Sequence, residues 1–297
     1  MPSRGNPPKS HVGSALHVMD ADKKHAIDKV STALIATIHD YLDRGLPLRR
    51  IVLVASILKN CGVRIPDSER LAKRLLSEQK SDGGWVDCED TAWFLYYLYD
   101  RKDFEQNVRK GLAWLADERI GNTGWGFCIR DKACIPITAQ ILYFLPHFSP
   151  VSEAMHWLEN QWNNDLHSPI NLNYKAAWYL LSFYKLQHST NLSLEIFNKS
   201  VDYLIKEQRD DGSWGPWKNH PAPSGCFITG ICMAAIALSY RSSKDKSIIP
   251  ALKNGIRWIE GNQLENGLFP THYIEEGSAW ILFGLSKALS VIKDGPI

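Results

Sequence analysis

The chain alternates between two kinds of hydrophobic segment. In the first kind, apolar residues recur every three or four positions, which is the pattern of an amphipathic helix with one buried face. In the second kind, apolar residues occupy nearly every position, as expected for a helix covered on both sides. The amphipathic segments are 24–44, 66–79, 104–118, 151–163, 193–208 and 247–262. The apolar segments are 49–60, 91–98, 137–145, 176–183, 229–236 and 278–285.

A short polar-to-aromatic turn repeats at the ends of the amphipathic segments. The two clearest copies are 79–85 (QKSDGGW) and 208–214 (QRDDGSW), and 119–125 and 263–269 are weaker copies with the same spacing. Asp-Gly and Asn-x-Gly sequences are typical of the tight left-handed turn that ends a helix. We therefore predict that these amphipathic helices stop in such turns. We also expect the aromatic side chain to fold back onto the polar residue at the helix end.

These patterns predict an all-α fold, and we find no convincing strand. Twelve helices that alternate between amphipathic outer helices and apolar inner helices form six hairpins. Such hairpins close into an (α/α)6 toroid with the inner helices around a central cavity. We assign residues 24–297 to a single barrel domain. Residues 1–23, which are polar and carry three prolines, are expected to form a disordered N-terminal segment.

Charge and composition exclude several classes of protein. The 34 Lys and Arg residues nearly balance the 32 Asp and Glu residues, so the net charge of +2 gives no electrostatic surface for nucleic acid. No apolar run reaches the ~20 residues of a membrane span. The six cysteines have no C-x-x-C spacing and no secretory signal precedes them, which predicts a cytoplasmic protein with reduced thiols. The 11 tryptophans exceed ordinary usage and call for a role.

An acidic cluster stands immediately after the first of the repeated turns. Asp87, Glu89 and Asp90 place three carboxylates within four positions, so their repulsion and any burial favour a protonated form. A neutral acid in an aromatic cavity can protonate an alkene, and aromatic faces stabilise the resulting carbocation. The alternative is helix capping, because acids at a helix N-terminus also cap it and complement its dipole.

The motifs resemble those of one superfamily across residues 24–293. The repeated turn is similar to the QW motif of terpene cyclases and protein prenyltransferases, whose first half resembles 110–115 and 255–259. The stretch 87–92 (DCEDTA) looks like the D-x-D-D-T-A signature of class II terpene cyclases such as squalene–hopene cyclase. This resemblance implies protonation-initiated cyclisation of a linear prenyl chain, with Glu89 in place of the usual catalytic Asp. It also implies that a partner helical domain or a homodimer closes the cavity, and that the protein can contact a membrane peripherally.

Further candidates lie near the predicted mouths of the inner helices, where packing and solvent-exposed roles are equally open. The candidate substrate-binding residues are Trp93, Phe127, Tyr174, Trp217, Tyr273, Cys226, His220 and His272. The candidate diphosphate-binding residues are Arg130, Lys132 and Lys175. A diphosphate substrate would bring Mg²⁺ with it, and otherwise we expect no cofactor.

Two other functions remain open on the sequence alone. A zinc-dependent prenyltransferase of the same fold would need three protein ligands, whereas only Cys226 and His272 stand near the required positions. We therefore predict no metal site. A prenyltransferase that uses the same cavity, or a non-catalytic module that binds an isoprenoid or a partner helix, stays an alternative to the cyclase.

Overall fold

The computed structural model describes residues 21–148, 151–168, 171–221 and 225–294. Within these ranges it contains twelve α-helices, one short 3₁₀ turn and no strand, which confirms the all-α prediction. The outer helices are α1 (Ala21–Asp43), α3 (Ser68–Leu76), α5 (Glu105–Asp117), α7 (Val151–Leu166), α9 (Leu194–Lys206) and α11 (Ile248–Asn262). The inner helices are α2 (Arg49–Asn60), α4 (Cys88–Leu98), α6 (Ile135–Phe144), α8 (Asn173–Leu186), α10 (Cys226–Ser243) and α12 (Ile274–Asp294).

The inner helices form a closed ring. Helix α2 packs on α4, and the contacts continue in order through α6, α8 and α10 to α12, which packs back on α2. The outer helices lie against this ring; α7, for example, contacts both α6 and α8. One contiguous apolar core joins the two layers. The predicted arrangement of apolar inner helices within a layer of amphipathic ones is therefore the observed one.

Burial explains why the inner helices are apolar on all sides. In α10, most side chains are buried between α8, α12 and the outer layer. This helix is long and apolar enough to cross a membrane by composition, but 72% of it is buried inside the protein. Its hydrophobicity is therefore accounted for by its position in the ring.

Glutamine side chains join consecutive outer helices at the repeated turns. Gln79 donates from Nε2 to the Gly83 carbonyl of its own turn at 2.8 Å and to the Asn107 carbonyl of α5 at 2.9 Å. Gln208 makes the same pair of bonds, the second of them to α11. Gln263 repeats the pair and reaches the Ala26 carbonyl of α1 at 3.2 Å. The last turn is thus bonded to the first helix, which closes the outer layer.

The tryptophans of the turns pack differently from the prediction. The indole N–H groups of Trp85, Trp125 and Trp214 each donate to a backbone carbonyl ten residues earlier, at 2.7–2.9 Å. The aromatic side chain therefore folds back onto the main chain of the preceding outer helix, and the glutamine is left to bond to the next one. The backbone N–H of Trp85 also donates to the Thr91 hydroxyl of α4. Each turn is consequently tied to the inner helix that follows it.

Several predicted boundaries shift. Residues 1–20 of the segment predicted to be disordered lie outside the described residues, and α1 begins at Ala21 instead of residue 24. Helices α4 and α12 begin three and four residues earlier than predicted, at Cys88 and Ile274, whereas α2 begins at Arg49 as predicted. In α4 and α12 acidic residues occupy the first turn, so counting apolar positions alone placed the starts too late. The assignment of residues 24–297 to one domain stays a prediction.

Candidate active site

The main cavity lies at the amino-terminal ends of the inner helices. It has a volume of about 710 Å³, and every inner helix or the loop before it contributes to its wall. One representative from each inner helix is Leu53, Glu89, Ile137, Tyr174, Phe227 and Glu276. Since these residues stand in the first turns of their helices, the inner helices run parallel and their amino ends meet. A second pocket of about 300 Å³ adjoins the cavity and shares Leu53, Glu89 and Glu276 with it.

The acidic cluster lies at the amino end of α4. Asp87 caps the helix by accepting a hydrogen bond from the backbone N–H of Asp90 at 2.9 Å. The guanidinium of Arg49, on α2, pairs with Asp87 at 2.7 Å and with Asp90 at 2.6 Å. Capping and charge pairing therefore account for both aspartates, while neither engages Glu89.

Glu89 lies in the wall shared by the cavity and the adjoining pocket. Its Oε1 accepts a hydrogen bond of 2.7 Å from the side-chain amide of Gln140, on α6. The amide oxygen of Gln140 accepts in turn from the indole N–H of Trp93 at 3.1 Å. Because an indole can only donate, it fixes which end of the amide faces Glu89. The remaining oxygen of Glu89, Oε2, is then the one available to carry a proton.

Burial raises the pKa of several carboxyl groups at this site. Burial raises the pKa of Glu89, and the hydrogen bond from Gln140 opposes this effect. Burial, together with the charge of Asp87, raises the pKa of Asp90 to about 7 in spite of the nearby Arg49. Burial also raises the pKa of Glu276. These carboxyl groups therefore keep their protons to a higher pH than unperturbed carboxyl groups do, as expected for a group of acids with few cations nearby.

Aromatic side chains form much of the rest of the wall. Trp178, Trp280, Phe227 and Tyr174 line the cavity, and Trp280 lies in edge contact with Trp178 and Phe227 at centroid distances of 5.5 Å. Trp93 reaches the same group, 5.8 Å from Trp280. The side chains of Trp93 and Trp280 are each about 1% exposed. The site thus places an acid beside a desolvated set of aromatic faces.

Many of the residues predicted from the sequence line the cavity or the adjoining pocket. Those in the cavity wall are Glu89, Phe127, Lys132, Tyr174 and Lys175. Those in the adjoining pocket are Asp90, Trp93 and Tyr273. Lys175 is paired with Asp165 at 2.7 Å, and the ring of Tyr273 lies under the guanidinium of Arg50 at 3.9 Å.

Six predicted residues lie outside both linings, and one of them is Asp87, the cap of α4 described above. Trp217 and His220 pack against each other in the loop before α10, with a centroid distance of 4.3 Å. Cys226 is buried at the start of α10, where its Sγ lies 3.4 Å from the Pro270 carbonyl. His272 stands beside Tyr273 on the exposed rim. Arg130 is exposed in the loop before α6. Trp217, His220, His272 and Arg130 lie in loops, away from the helix ends that form the wall.

The geometry around Cys226 offers little to a metal ion. Burial raises the pKa of its thiol to about 11, whereas zinc binds the thiolate. Within the described ranges, no group of three His, Cys, Asp or Glu side chains is arranged to hold a metal.

The structure adds residues that the sequence analysis missed, namely Arg49, Gln140, Trp178, Glu276 and Trp280. Two signals pointed to some of them. Gln140 is a lone amide within an apolar segment, and Glu276 occupies the same register in its repeat as Glu89. No local pattern marked Arg49 or the two tryptophans, because their role depends on the closure of the ring.

No family model and no curated protein matches the sequence. Solved structures do share the fold. A variant of the type II terpene cyclase MstE from Scytonema, in complex with its substrate geranylgeranyl dihydroxybenzoate, has a TM-score of 0.65 and 14% identity, covering 90% of this chain and 99% of that one. The ent-copalyl diphosphate synthase of Streptomyces platensis has a TM-score of 0.60 and 15% identity, covering 81% of this chain and 50% of that one.

The same fold also occurs in a possible member of another family. A possible member of the GH105 family from Salmonella enterica has a TM-score of 0.66 and 13% identity, covering 92% of this chain and 95% of that one. At these identities the matches describe architecture, and function has to be argued from the site. In its fold, the chain resembles the class II terpene cyclases.

Proposed function

We propose that the protein is a class II terpene cyclase that protonates a linear prenyl chain. One observation carries the proposal: Glu89 lies in the wall of an aromatic cavity, where burial raises its pKa and Gln140 holds one of its oxygens. A carboxylic acid that is neutral, desolvated and fixed in direction is what protonation of an alkene requires. Glu89 is the proposed acid because Arg49 forms its ion pairs with the two aspartates of the cluster and acts on Glu89 only through its charge.

The first step moves one proton. The proton on Oε2 of Glu89 is transferred to one carbon of the terminal alkene, whose π electrons form the new C–H bond. The other alkene carbon becomes a tertiary carbocation, and Glu89 becomes a carboxylate. The next alkene of the chain then supplies its π electrons to that cation, so that a C–C bond closes a ring and the charge moves along the chain.

The cavity is suited to the charge that develops. The faces of Trp178 and Trp280 line it, and each desolvated cation–π contact is worth up to about 2 kcal/mol. The carboxylate left on Glu89, with Glu276 nearby in the wall, adds an electrostatic attraction that strengthens in a medium of low polarity. Loss of a proton from the final cation ends the reaction, so that the product is an isomer of the substrate.

Glu89 must regain its proton before the next turnover. The adjoining pocket reaches Glu89 from the side of Arg50 and Tyr273, both of which are exposed. This polar pocket provides a route from solvent that does not pass through the aromatic cavity. Asp90 lies on the same route with a pKa of about 7. We therefore assign the adjoining pocket to the supply of protons and the aromatic cavity to the binding of substrate.

The closure of the cavity stays a prediction. The rim exposes Phe127, Ile129, Tyr273 and Ile274 to solvent. A partner helical domain, a second copy of the chain or a membrane surface would each cover such residues. A prenyltransferase or a binding module remains the alternative if no cyclised product forms.

The proposal is tested by comparing single-turnover rates of three Glu→Gln variants on prenyl substrates. Glu89→Gln should lower the rate at least 1,000-fold, since it removes the acid. Glu195→Gln, a matched change at an exposed residue of α9, should leave the rate unchanged. Glu276→Gln changes the second glutamate in the cavity wall and should lower the rate far less than Glu89→Gln does. A Glu89→Gln variant that is folded and fully active would rule out Glu89 as the acid.

A further inference from the structure

Within the proposed function, on which this step rests, we infer that the substrate carries an uncharged head group and not a diphosphate. The sequence alone left both possibilities open, since Arg130, Lys132 and Lys175 formed a candidate diphosphate site. The inference follows from how the basic and acidic side chains of the site are paired.

The basic residues of the cavity and the adjoining pocket are mostly engaged. Arg49 is paired with two aspartates of its cluster at 2.6 and 2.7 Å, and Lys175 with Asp165 at 2.7 Å. Arg50 lies 3.8 Å from Glu275 and stacks on a tyrosine ring. A diphosphate would have to take these cations from carboxylates that already hold them.

Lys132 is the exception among the described residues. It lines the cavity from an exposed position, and no carboxylate within the described ranges pairs with it. The same wall contains the carboxyl groups of Glu89, Asp165 and Glu276. One unpaired lysine would therefore face the several negative charges of a diphosphate, in a wall where Asp165 is already paired with Lys175 and the two glutamates add no positive charge, which is an unfavourable balance.

The amino ends of three inner helices, α4, α6 and α12, do not restore the balance. Such ends attract anions through their free N–H groups and their dipoles. At α4, the N-terminal positions are already occupied by Asp87, Glu89 and Asp90, and at α12 the first turn carries two glutamates. At α6, Pro136 stands in the first turn and has no N–H to offer.

The wall does suit a neutral head that donates and accepts hydrogen bonds. Gln161 contributes an amide, Tyr174 a hydroxyl, and the pair of Lys175 and Asp165 contributes both a donor and an acceptor. A prenyl alcohol or a prenylated phenol matches this chemistry. The carboxyl groups that disfavour a diphosphate are also those that favour a carbocation, so one charge distribution serves both purposes.

The test compares head groups on the same prenyl chain. Farnesyl and geranylgeranyl chains are offered as the alcohol, as the ether or aryl conjugate of a phenol, and as the diphosphate with and without Mg²⁺. Dissociation constants are measured by quenching of tryptophan fluorescence, and products by mass spectrometry. We expect the alcohol or the phenol conjugate to bind at least tenfold more tightly than the diphosphate of the same chain, with or without Mg²⁺.

A charge variant sharpens the comparison. Asp165→Asn frees Lys175 and should strengthen binding of the diphosphate several-fold relative to the alcohol, whereas Glu195→Gln, the exposed control, should change neither. Diphosphate binding that equals or exceeds that of the alcohols overturns the inference. If the diphosphate is also cyclised with uptake of a solvent proton, the proposed function stands and only the inference fails. If neutral substrates bind preferentially and none is cyclised, the inference stands and the proposed function fails.

Discussion

At the scale of single residues, the properties of Glu89 come from its neighbours on other helices. Its carboxyl group is oriented by Gln140 of α6, which is itself oriented by Trp93 of α4. Its pKa is raised by burial in a wall to which every inner helix contributes. The same glutamate on an isolated helix would be an ordinary exposed acid.

Gln140 is a positioning residue, and its removal should change the pH dependence of the reaction. Its hydrogen bond stabilises the carboxylate form of Glu89 and lowers the pKa of that group. Gln140→Leu should therefore raise the pKa of Glu89 and move the alkaline limb of the pH–rate profile to higher pH. The maximal rate should fall about tenfold or more, because the acid loses its orientation.

A conservative variant separates this role from simple packing. Gln140→Glu keeps the shape of the side chain but places a further acid beside Glu89, so the alkaline limb should again move to higher pH. A Gln140→Leu variant with a reduced rate and an unmoved alkaline limb would contradict a role that acts through Glu89.

Asp90 should make stability depend on pH in a predictable direction. Its pKa is about 7 in the folded protein, compared with 3.8 for an unperturbed aspartate. Between these values the folded protein keeps a proton that the unfolded chain has lost. The contribution of Asp90 to stability is therefore complete below about pH 4, declines as the pH rises, and is lost above about pH 7.

Urea denaturation at several pH values measures this contribution. The free energy of unfolding of the wild type should fall between pH 5 and pH 7, and Asp90→Asn should flatten that fall. Asp40→Asn, at an exposed residue of α1, should follow the wild type. An equally steep fall in Asp90→Asn would show that Asp90 does not retain its proton.

At this scale, the sequence could predict residues that are close together along the chain but not their distant partners. Three acids in four positions were visible, and so was their place at the start of an inner helix. The partners Arg49 and Gln140 lie 38 and 51 positions away from Asp87 and Glu89, respectively. Only the closure of the ring brings them together, and no periodicity within one segment indicates such a contact.

At the scale of elements, the repeated turn joins three helices at once. Its glutamine bonds to the next outer helix, its tryptophan to the preceding one, and the tryptophan backbone to the following inner helix. The turn can approach the next outer helix closely because its glycine has no side chain. Gly212 has a φ of 93°, and a Cβ there would collide with the main chain of Asn254 in α11.

Substitution of this glycine should be costly. Gly212→Ala should lower the free energy of unfolding by roughly 2 kcal/mol or more, through the strained backbone angle and the collision. Gly261→Ala is the matched control, since Gly261 is exposed within α11 and has open space around it. It should stabilise the protein by about 0.5–1 kcal/mol because alanine favours a helix. Equal effects of the two changes, measured by urea denaturation, would contradict this account of the turn.

The elements were more predictable than their contacts. The apolar and amphipathic segments located all twelve helices, because burial on two sides or on one side leaves a distinct periodicity. The bonding partner of Trp85 was not predicted, since the indole donates to a main-chain carbonyl and any residue at position 75 provides one. Sequence patterns record side chains, whereas this contact depends on the backbone.

At the scale of the whole molecule, the two ends of the ring differ in the side chains that line their pockets. The amino ends of the inner helices hold the acids, the aromatic wall and the main cavity. The carboxy ends form a smaller pocket of about 210 Å³, lined by Lys59, Tyr96, Tyr143 and Lys185 among others. Lysines suit the negative ends of helices, and Lys59 indeed donates to two carbonyls at the end of α4. The acidic cluster therefore lies at the opposite end of the ring from these lysines.

The fold by itself does not select the reaction, because ring structures of the same kind serve both terpene cyclases and a possible GH105 protein. Which reaction the protein carries out has to be argued from the side chains of the site. The proposal rests on a half-buried glutamate that shares a cavity wall with Trp178 and Trp280, and on the carboxyl groups of the same wall. The central claim is therefore that the reaction begins with a proton delivered by the protein.

The most direct test of that claim is to run the reaction in D₂O with the prenyl alcohols and phenol conjugates and to measure the masses of the products by mass spectrometry. The account predicts a cyclic isomer that contains one non-exchangeable deuterium, placed on the ring methylene next to the carbon that bears the two terminal methyl groups. Glu89→Gln should form none of it. A cyclic product without solvent deuterium, formed by the wild type, would contradict initiation by protonation and with it the role assigned to Glu89.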